Sequence, residues 1–282
     1  MNVIETIDGV RAVRPELGRL ALVPTMGALH AGHVSLLHLA KKHAQRVAVS
    51  IFVNPTQFGP REDYQKYPRP LDADLKKCED AGVDLVFVPQ ASEMYPEGTP
   101  EIGIDLPSLS SQLEGKHRSG HFKGVCQVVA KLFNIVRPDV AVFGQKDFQQ
   151  LRILSAMTSA LNWPIEIVTG PTLRESDGLA LSSRNAYLSD EERQRALSIS
   201  RALFLARGEF DSGVRQAIRL TATLRNTLLD SQRGRVQLLI DYVAAVDAMT
   251  LQTADLITRP TVLAIAARVG NTRLIDNVVL VP

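Results

Sequence analysis

Two histidines three residues apart, His30 and His33, follow an apolar run that predicts a strand and precede a spacing that predicts a helix. Gly27 and Gly32 lie beside them, and because glycine has no Cβ, the backbone there can approach a ligand closely. The first N–H groups of a helix are unpaired and its start is partially positive, so such a turn suits an anion. Imidazoles there can donate hydrogen bonds to phosphate oxygens, above all as charge builds up on a leaving pyrophosphate. Taken alone, the pattern also fits two surface histidines near a turn.

A second polar turn, residues 144–147, follows the apolar run VAVF and opens another predicted helix. Lys146 is a compact cation that could neutralise a phosphate chain, and Asp147 could cap the helix or bind a hydroxyl. Gln149 and Gln150 lie in the first helical turn, and an amide can both donate and accept hydrogen bonds. The alternative is a capped helix with an ordinary surface lysine.

A third polar turn consists of Ser182, Ser183 and Arg184, after the apolar LAL and before a predicted helix. Two hydroxyls and a guanidinium can form a phosphate clamp, although a polar turn between domains has the same composition. Three phosphate-binding turns in one chain fit a single bound nucleotide better than three unrelated features.

The composition excludes several classes of protein. The 282 residues include 32 lysines and arginines and 30 aspartates and glutamates, a net charge of +2, whereas a nucleic-acid binder needs a basic stripe. The chain has no apolar run near the ~20 residues that span a bilayer and no signal-peptide pattern at its start. Cys78 and Cys126 have neither disulfide-framework nor metal-site spacing. We therefore expect a cytoplasmic protein with reduced thiols and with no nucleic-acid or membrane partner.

The first 170 residues alternate between strand and helix patterns. Strands are predicted at 20–24, 47–53, 83–89, 138–144 and 164–168, with helical spacing between most of them. Such alternation produces βαβ units, so we expect an α/β fold, a doubly wound parallel sheet with helices on both faces. Ligands bind such sheets at the carboxyl ends of the strands, where the first two turns lie.

The pattern changes after about residue 171. A helix capped by Ser189 and a second helix at 213–230 precede strands at 236–247, 261–270 and 272–281. We therefore expect two domains, a larger α/β domain at 1–171 and a smaller α+β lid domain at 172–282. The segment 54–70 has four prolines and predicts a long loop with a function.

The H-x-G-H turn with a late basic loop resembles the nucleotidyl-transferring superfamily, whose members expel pyrophosphate from a nucleotide. The wider set of motifs is PTMGALHAGHVSLL, SIFVNPTQF, DYQKYPR, LEGKHRSGHFKGVCQVVAKLFNIVRPDVAVFGQKDFQQL and DGLALSSRNAYLS. Together they resemble the pantothenate synthetase (pantoate–β-alanine ligase) family from about residue 24 to 187, and the resemblance resumes in RLIDN near the end. It implies a Rossmann-like sheet of the HxGH nucleotidyltransferase type.

The resemblance also implies an activity. The family condenses (R)-pantoate with β-alanine to give pantothenate, AMP and diphosphate, forming pantoyl adenylate from ATP before the amine displaces AMP. We expect Mg²⁺ to accompany ATP, with ligands that the sequence does not identify. A homodimer is expected as well, and the apolar stretch 47–53 is a candidate for its interface.

Individual roles follow from the same resemblance. His33 matches the proton donor, His30 and Lys146 contact the phosphates, and Gln57 and Gln150 bind pantoate, with Gln57 shared with β-alanine. Asp147 is expected near the ribose, and Leu173 offers its backbone to adenine. The ATP-binding residues implied are Met26, Gly27, Ala28, Leu29, His30, Ala31, Gly32, His33, Gly144, Gln145, Lys146, Asp147, Leu173, Leu181, Ser182, Ser183 and Arg184.

Three other functions fit parts of the sequence. A nucleotidylyltransferase with a dinucleotide-like product would share H-x-G-H and the sheet, but it would not need the NPTQF loop or a second domain. An RNA-binding module would need more than 5% aromatic residues and a basic groove. A non-catalytic nucleotide sensor would not need the complete set of His30, His33, Lys146 and 182–184.

Overall fold

The computed structural model describes residues 1–60, 62–230 and 236–282. Its first part contains six strands, β1 (Asn2–Ile4), β2 (Leu20–Thr25), β3 (Arg46–Ile51), β4 (Leu85–Phe87), β5 (Val140–Gly144) and β6 (Glu166–Gly170). They form one parallel sheet in the order β1-β4-β3-β2-β5-β6. The predicted doubly wound parallel sheet is confirmed. The edge strand β1 was not predicted, because its three residues are exposed or half-buried and form no apolar run.

The helices of this part are α1 (Ile7–Val13), α2 (Ala31–His43), α3 (Leu71–Asp80), α4 (Ala91–Met94), α5 (Pro107–Ser110), α6 (Leu113–His117), α7 (His121–Val136) and α8 (Phe148–Ala160). The longer helices α2, α3, α7 and α8 were predicted, and the shorter ones, of four to seven residues, were not. The predicted loop 54–70 connects β3 to α3 and contains two short 3-10 turns; residue 61 within it lies outside the described residues.

The apolar stretch 47–53 lies inside the sheet rather than on the surface. It belongs mostly to β3, which pairs with β4 on one side and β2 on the other. Its residues from Val47 to Phe52 are at most 8% exposed within the single chain. The expectation that this stretch forms a dimer interface is therefore wrong: it is apolar because a central parallel strand is buried on both faces.

The second part contains α9 (Asp190–Asp211), α10 (Ala217–Asp230), β7 (Leu238–Asp247), β8 (Thr261–Val269) and β9 (Thr272–Leu280). The three strands form an antiparallel sheet in the order β7-β8-β9. The predicted cap of α9 is present, because the Ser189 hydroxyl accepts the Glu192 N–H and the Glu192 carboxylate accepts the Ser189 N–H. The fold is therefore a parallel sheet with helices followed by a smaller α+β unit, as predicted.

The antiparallel sheet is buried on both faces. Leu263 and Ile265 of β8 pack in the cluster that contains the apolar residues of α9 and α10. Val262 and Ala264, which alternate with them, pack in the cluster of α7 and α8. Because both faces of β8 are buried, the strand is apolar at nearly every position. The strand β8 also joins the two parts of the chain through continuous packing. Among the described residues, no helix is both long and apolar enough to cross a membrane.

Candidate active site

The polar turns meet at the carboxyl ends of β2 and β5. These neighbouring strands are the switch point of the sheet. From β2, the chain adds β3 and β4 on one side, and it then adds β5 and β6 on the other side. A cavity of about 230 Å³ opens there and adjoins a second cavity of about 820 Å³. The predicted residues that line the first cavity are Met26, His30, Gly32, His33, Gln57, Gly144, Lys146, Asp147, Gln150, Leu173, Leu181, Ser182, Ser183 and Arg184.

His30 and His33 form a reciprocal cap at the start of α2. Nδ1 of His30 accepts the N–H of Gly32 at 3.1 Å, and Nδ1 of His33 accepts the N–H of His30 at 3.2 Å. The helix begins at Ala31, two residues before the predicted start. Because each Nδ1 is an acceptor, a neutral ring carries its hydrogen on Nε2. The spacing of three residues therefore leaves two Nε2–H donors for a ligand in the cavity.

Both imidazoles are uncharged at neutral pH. Burial, reinforced by the nearby Lys146 ammonium, lowers the pKa of His30 to about 4. Burial, reinforced by His30, lowers the pKa of His33 to about 3. The two rings lie 4.0 Å apart between centroids, so they act here as neutral hydrogen-bond donors and not as a pair of cations.

A buried carboxylate that the sequence did not reveal supports this turn. Asp74 of α3 is 1% exposed, and its two oxygens accept the N–H groups of Ala28 and Leu29 at 2.7 Å each. Gly27 has a φ of +82°, and a Cβ on it would lie 3.0 Å from Asp74 Oδ2. Lys77 donates to the Leu29 carbonyl at 2.6 Å. Of the predicted ATP-binding residues, Gly27, Ala28, Leu29, Ala31 and Gln145 do not line the cavity. Asp74 of α3 holds the backbone of Ala28 and Leu29.

The second turn presents a lysine and a carboxylate to the same cavity. Residues Gln145–Asp147 form a 3-10 turn before α8, and Lys146 Nζ lies 3.5 Å from Asp147 Oδ1. Burial alone would raise the pKa of Asp147, but the charges of Lys146 and Arg184 hold it below its ordinary value. Asp147 occupies the N-cap position of α8, as suggested, but its side chain makes no cap hydrogen bond.

The two glutamines of α8 have different roles. Gln149 is 5% exposed, donates to the carbonyls of Leu109 and Gln112 at 2.8 Å, and accepts the Glu114 N–H at 2.9 Å. Gln150 lines the cavity. Only Gln150 is therefore available to a ligand, whereas Gln149 holds the segment around α5 and α6.

Gln57 lines the cavity from a turn that α7 holds in place. Its Oε1 accepts from Asn54 at 3.1 Å, and its Nε2 lies 3.1 Å from Met26 Sδ. Nδ1 of His121 donates to the Gln57 carbonyl at 2.8 Å. A Cβ on Gly124 would lie 2.7 Å from Gln57 N, so only glycine allows this approach. The HFKG part of the sequence motif therefore positions Gln57.

His121 in turn connects this turn to an ion pair. Its Nε2 accepts from the Arg118 guanidinium at 2.9 Å, which leaves the hydrogen on Nδ1. Arg118 also donates twice to the Glu62 carboxylate at 2.6 Å. Arg118 and His121 line the cavity, although in the sequence they stand only within a longer motif and have no separate signal.

The third turn contacts the loop 54–70. Arg184 donates to both oxygens of Asp63, at 2.9 and 3.0 Å, and Ser183 Oγ lies 3.3 Å from Tyr67 Oη. The segment Ser183–Tyr187 is a 3-10 helix capped by Ser182. The Arg184 guanidinium is thus paired with the Asp63 carboxylate at the edge of the cavity.

The neutral histidines predict a loss of stability in acid. In the unfolded chain the pKa of His33 and that of His121 lie near the ordinary value of 6.5. In the folded chain burial lowers the pKa of His33 to about 3. Burial, and next the charge of Arg118, lower the pKa of His121 to about 4. Between these pH values the unfolded chain binds more protons, so the free energy of unfolding should fall by up to about 1.4 kcal/mol per pH unit for each histidine. Urea denaturation at pH 7, 6 and 5 measures this, and His121→Asn should flatten the dependence. Equal stability at pH 7 and 5 would contradict buried neutral rings.

A parallel sheet with an H-x-G-H helix start at its switch point places the chain in the HxGH nucleotidyltransferase class. The profile of the family described as pantoate-beta-alanine ligase matches residues 2–279. The chain belongs to this pantoate–β-alanine ligase family and is an enzyme of the carbon–nitrogen ligase type.

Individual relatives agree over the full length. The chain is 51% identical to the pantothenate synthetase of Thermobifida fusca, over 99% of this chain and 95% of that one. It is 52% identical to pantothenate synthetase 1 of Bradyrhizobium diazoefficiens, over 99% and 98%. The structure superposes on the crystal structure of pantothenate synthetase from Thermus thermophilus with a TM-score of 0.94 and 41% identity, both chains being covered completely.

A further solved structure carries ligands. It is the pantoate-beta-alanine ligase from Francisella tularensis complexed with beta-gamma ATP and beta-alanine. It matches with a TM-score of 0.79 and 32% identity, over 99% of this chain and 97% of that one.

Proposed function

We propose that the cavity at the ends of β2 and β5 condenses (R)-pantoate with β-alanine, consuming ATP and releasing AMP and diphosphate through pantoyl adenylate. The observation that carries this proposal is the lining of one cavity, which brings His30, His33 and Lys146 together with the amides of Gln57 and Gln150. The first group suits a triphosphate, and the second suits a small hydroxy acid.

In the first half-reaction a pantoate carboxylate oxygen attacks the α-phosphorus of ATP. A bond forms from that oxygen to phosphorus, and the bond to the bridging oxygen breaks, so pyrophosphate leaves with the electron pair. The Nε2–H groups of His30 and His33 donate to the phosphate oxygens as this charge develops, and Lys146 neutralises it. Arg184 exchanges Asp63 for a phosphate. Catalysis is then positioning and charge stabilisation, with no covalent protein intermediate.

The glutamines orient pantoate without adding charge. An amide can pair with both hydroxyls and a carboxylate, whereas a cation beside the attacking oxygen would lower its nucleophilicity. Gln57 reaches the cavity from the 3-10 turn Pro55–Gln57, held by His121, and Gln150 reaches it from α8. In the second half-reaction the β-alanine amine bonds to the acyl carbon, the bond from that carbon to AMP breaks, and the amine loses a proton.

Mg²⁺ is proposed as the companion of ATP. No group of three metal-binding side chains occurs among residues 1–60, 62–230 and 236–282. Asp147, beside Lys146 in the cavity wall, fits an ion held mainly by phosphate oxygens and water. When bound, such an ion supplies further charge neutralisation to the phosphates.

The division at residues 1–171 and 172–282, with the second part as a lid, is a proposal supported by the change from a parallel to an antiparallel sheet. The cytoplasmic location is a proposal supported by the buried free thiols of Cys78 and Cys126. The homodimer rests on the family resemblance.

Isotope exchange tests the proposed route. With pantoate and Mg²⁺ but without β-alanine, labelled pyrophosphate should exchange into ATP, because the first half-reaction is reversible and needs no amine. AMP should accumulate only when both pantoate and β-alanine are present. Exchange that strictly required β-alanine would indicate a concerted three-substrate step, and exchange without pantoate would mean that a protein group is adenylated. A dinucleotide-like product would support the nucleotidylyltransferase alternative.

Substitution of the two glutamines tests the pantoate side of the cavity. Gln57→Ala and Gln150→Ala should each weaken the use of pantoate by about 1–3 kcal/mol, since each strands a substrate polar group in a dry site, and ATP affinity should stay nearly unchanged. Calorimetry with ATP and steady-state kinetics with pantoate separate the two effects. A large loss of ATP affinity would place these glutamines outside the pantoate pocket.

A further inference from the structure

The motif RLIDN, residues 273–277, has no part in the proposed mechanism although it shares the family resemblance. It lies on β9, the third strand of the antiparallel sheet. Asn277 of this motif is 4% exposed, and its Nδ2 donates to the carbonyls of Lys146 at 2.8 Å and Gln145 at 3.1 Å. A side chain from the end of the sequence therefore binds the backbone of the turn that carries the phosphate-directed lysine.

The contact is specific to the asparagine amide. An amide nitrogen has two hydrogens, and here each one meets a carbonyl oxygen. The opposite orientation would place Oδ1 against two oxygens, so the orientation is determined. The 3-10 turn has no side-chain cap of its own, and neither does the start of α8 after it. Asn277 thus supplies a side-chain restraint that local residues of this turn do not supply.

The preceding residue connects the same strand to the other ATP segment. Asp276 is 3% exposed and accepts two hydrogen bonds from Arg174 at 2.6 and 2.9 Å. Arg174 follows Leu173 and pairs with Ala180, and the Leu181 N–H donates to the Leu173 carbonyl. Consecutive residues of β9 therefore hold the turn of Lys146 and the hairpin that leads to residues 182–184.

We propose that Asn277 is a positioning residue for Lys146. It touches no substrate; it fixes the backbone from which the lysine reaches the phosphates, so that the ammonium meets the charge that develops on pyrophosphate. This rests on the proposed role of Lys146. A restraint on a group that acts in the transition state should affect kcat for pantoate-dependent pyrophosphate exchange, and it should leave the KM for pantoate unchanged.

The test uses Asn277→Ala, which removes both donors, and the isosteric Asn277→Asp, which replaces the amide nitrogen with oxygen. Val278→Ala is the matched control, because Val278 is the next residue of β9 and is buried in the cluster of α9 and α10, away from the lysine turn. Both Asn277 variants should lose about 10- to 100-fold in kcat, in keeping with a small misplacement of a catalytic group. Val278→Ala should keep the wild-type rate, although its melting temperature should fall about as much as that of the Asn277 variants. Rates of both Asn277 variants equal to that of the control would overturn the proposal.

A double-mutant cycle separates positioning from a general structural effect. If Asn277 acts through Lys146, adding Asn277→Ala to Lys146→Ala should cost little beyond the single lysine change. If the rate losses of the two single variants instead multiplied in the double variant, the positioning role would be overturned, even if each single variant is slow. A Lys146→Ala enzyme with a normal rate would instead show that the proposed function assigns the lysine wrongly, so the two failures are distinguishable.

Discussion

Lys146→Ala is expected to lower the turnover of the enzyme by about 100- to 1,000-fold, the loss typical of a missing group that stabilises transition-state charge. The side chain is 20% exposed, lines the cavity, and lies within the electrostatic reach of His30 and His33. Steady-state AMP formation and pyrophosphate exchange measure the effect. The loss should appear mainly in kcat, because the negative charge near Lys146 increases as pyrophosphate departs.

Two further variants sharpen this test. Lys146→Arg should rescue only part of the rate, since a planar guanidinium does not reproduce a compact ammonium at a confined site. Lys76→Ala is the matched control, because Lys76 is an exposed lysine on α3 whose ammonium pairs with Asp80. If both Lys146 variants kept the rate of the control, Lys146 would be an ordinary surface lysine.

His33→Ala is expected to lower kcat by a similar factor, about 3 kcal/mol, with a much smaller effect on ATP binding. Its Nδ1 is used by the His30 N–H, so Nε2–H is the donor that a substrate can meet. Because the pKa of His33 is about 3, the rate should show no inflection from this ring between pH 6 and 8. A variant with normal kcat and only a raised KM for ATP would contradict the role.

The alanine change also removes a helix cap, which a second variant controls. Glutamine is an ordinary partner at this position of a capping box, so His33→Gln should preserve the cap while it removes the imidazole donor. We expect His33→Gln to melt near the wild-type temperature and still turn over slowly. His38→Ala, an exposed histidine on the same helix α2, should be active. Recovery of full activity in His33→Gln would show that His33 is only a cap.

Local sequence patterns determined much of the architecture of this protein. Apolar runs separated by helical spacing predicted five of the six strands of the parallel sheet, because the inner strands are buried on both faces and are therefore apolar almost throughout. The order of strand, polar turn and helix predicted His33 and Lys146 at the carboxyl ends of strands, where parallel sheets bind their ligands. Ser189 could be identified as a cap from its own neighbours, because capping involves only residues three positions apart.

Residue type alone did not decide which partner a side chain takes. Asp147 has the chemistry of a cap, but its carboxylate lies beside Lys146 and makes no cap hydrogen bond. Gln149 and Gln150 are adjacent and chemically identical, and only the helix orientation turns one to the cavity and the other into the protein. The stretch 47–53 is apolar for burial in the sheet and not for a partner chain.

Only the tertiary structure decided which distant residues hold the site. Asp74 supports the histidine turn from α3, His121 holds Gln57 from α7, and Asn277 binds the lysine turn from β9. None of these contacts has a local signal, because each joins segments far apart in the chain through one or two hydrogen bonds to backbone atoms. The sequence by itself determined which groups could do the chemistry, through local periodicity and residue type. The packing of the two sheets decided how those groups are oriented. Every residue has the same backbone carbonyl, so the sequence does not indicate which distant side chain will bind a given one.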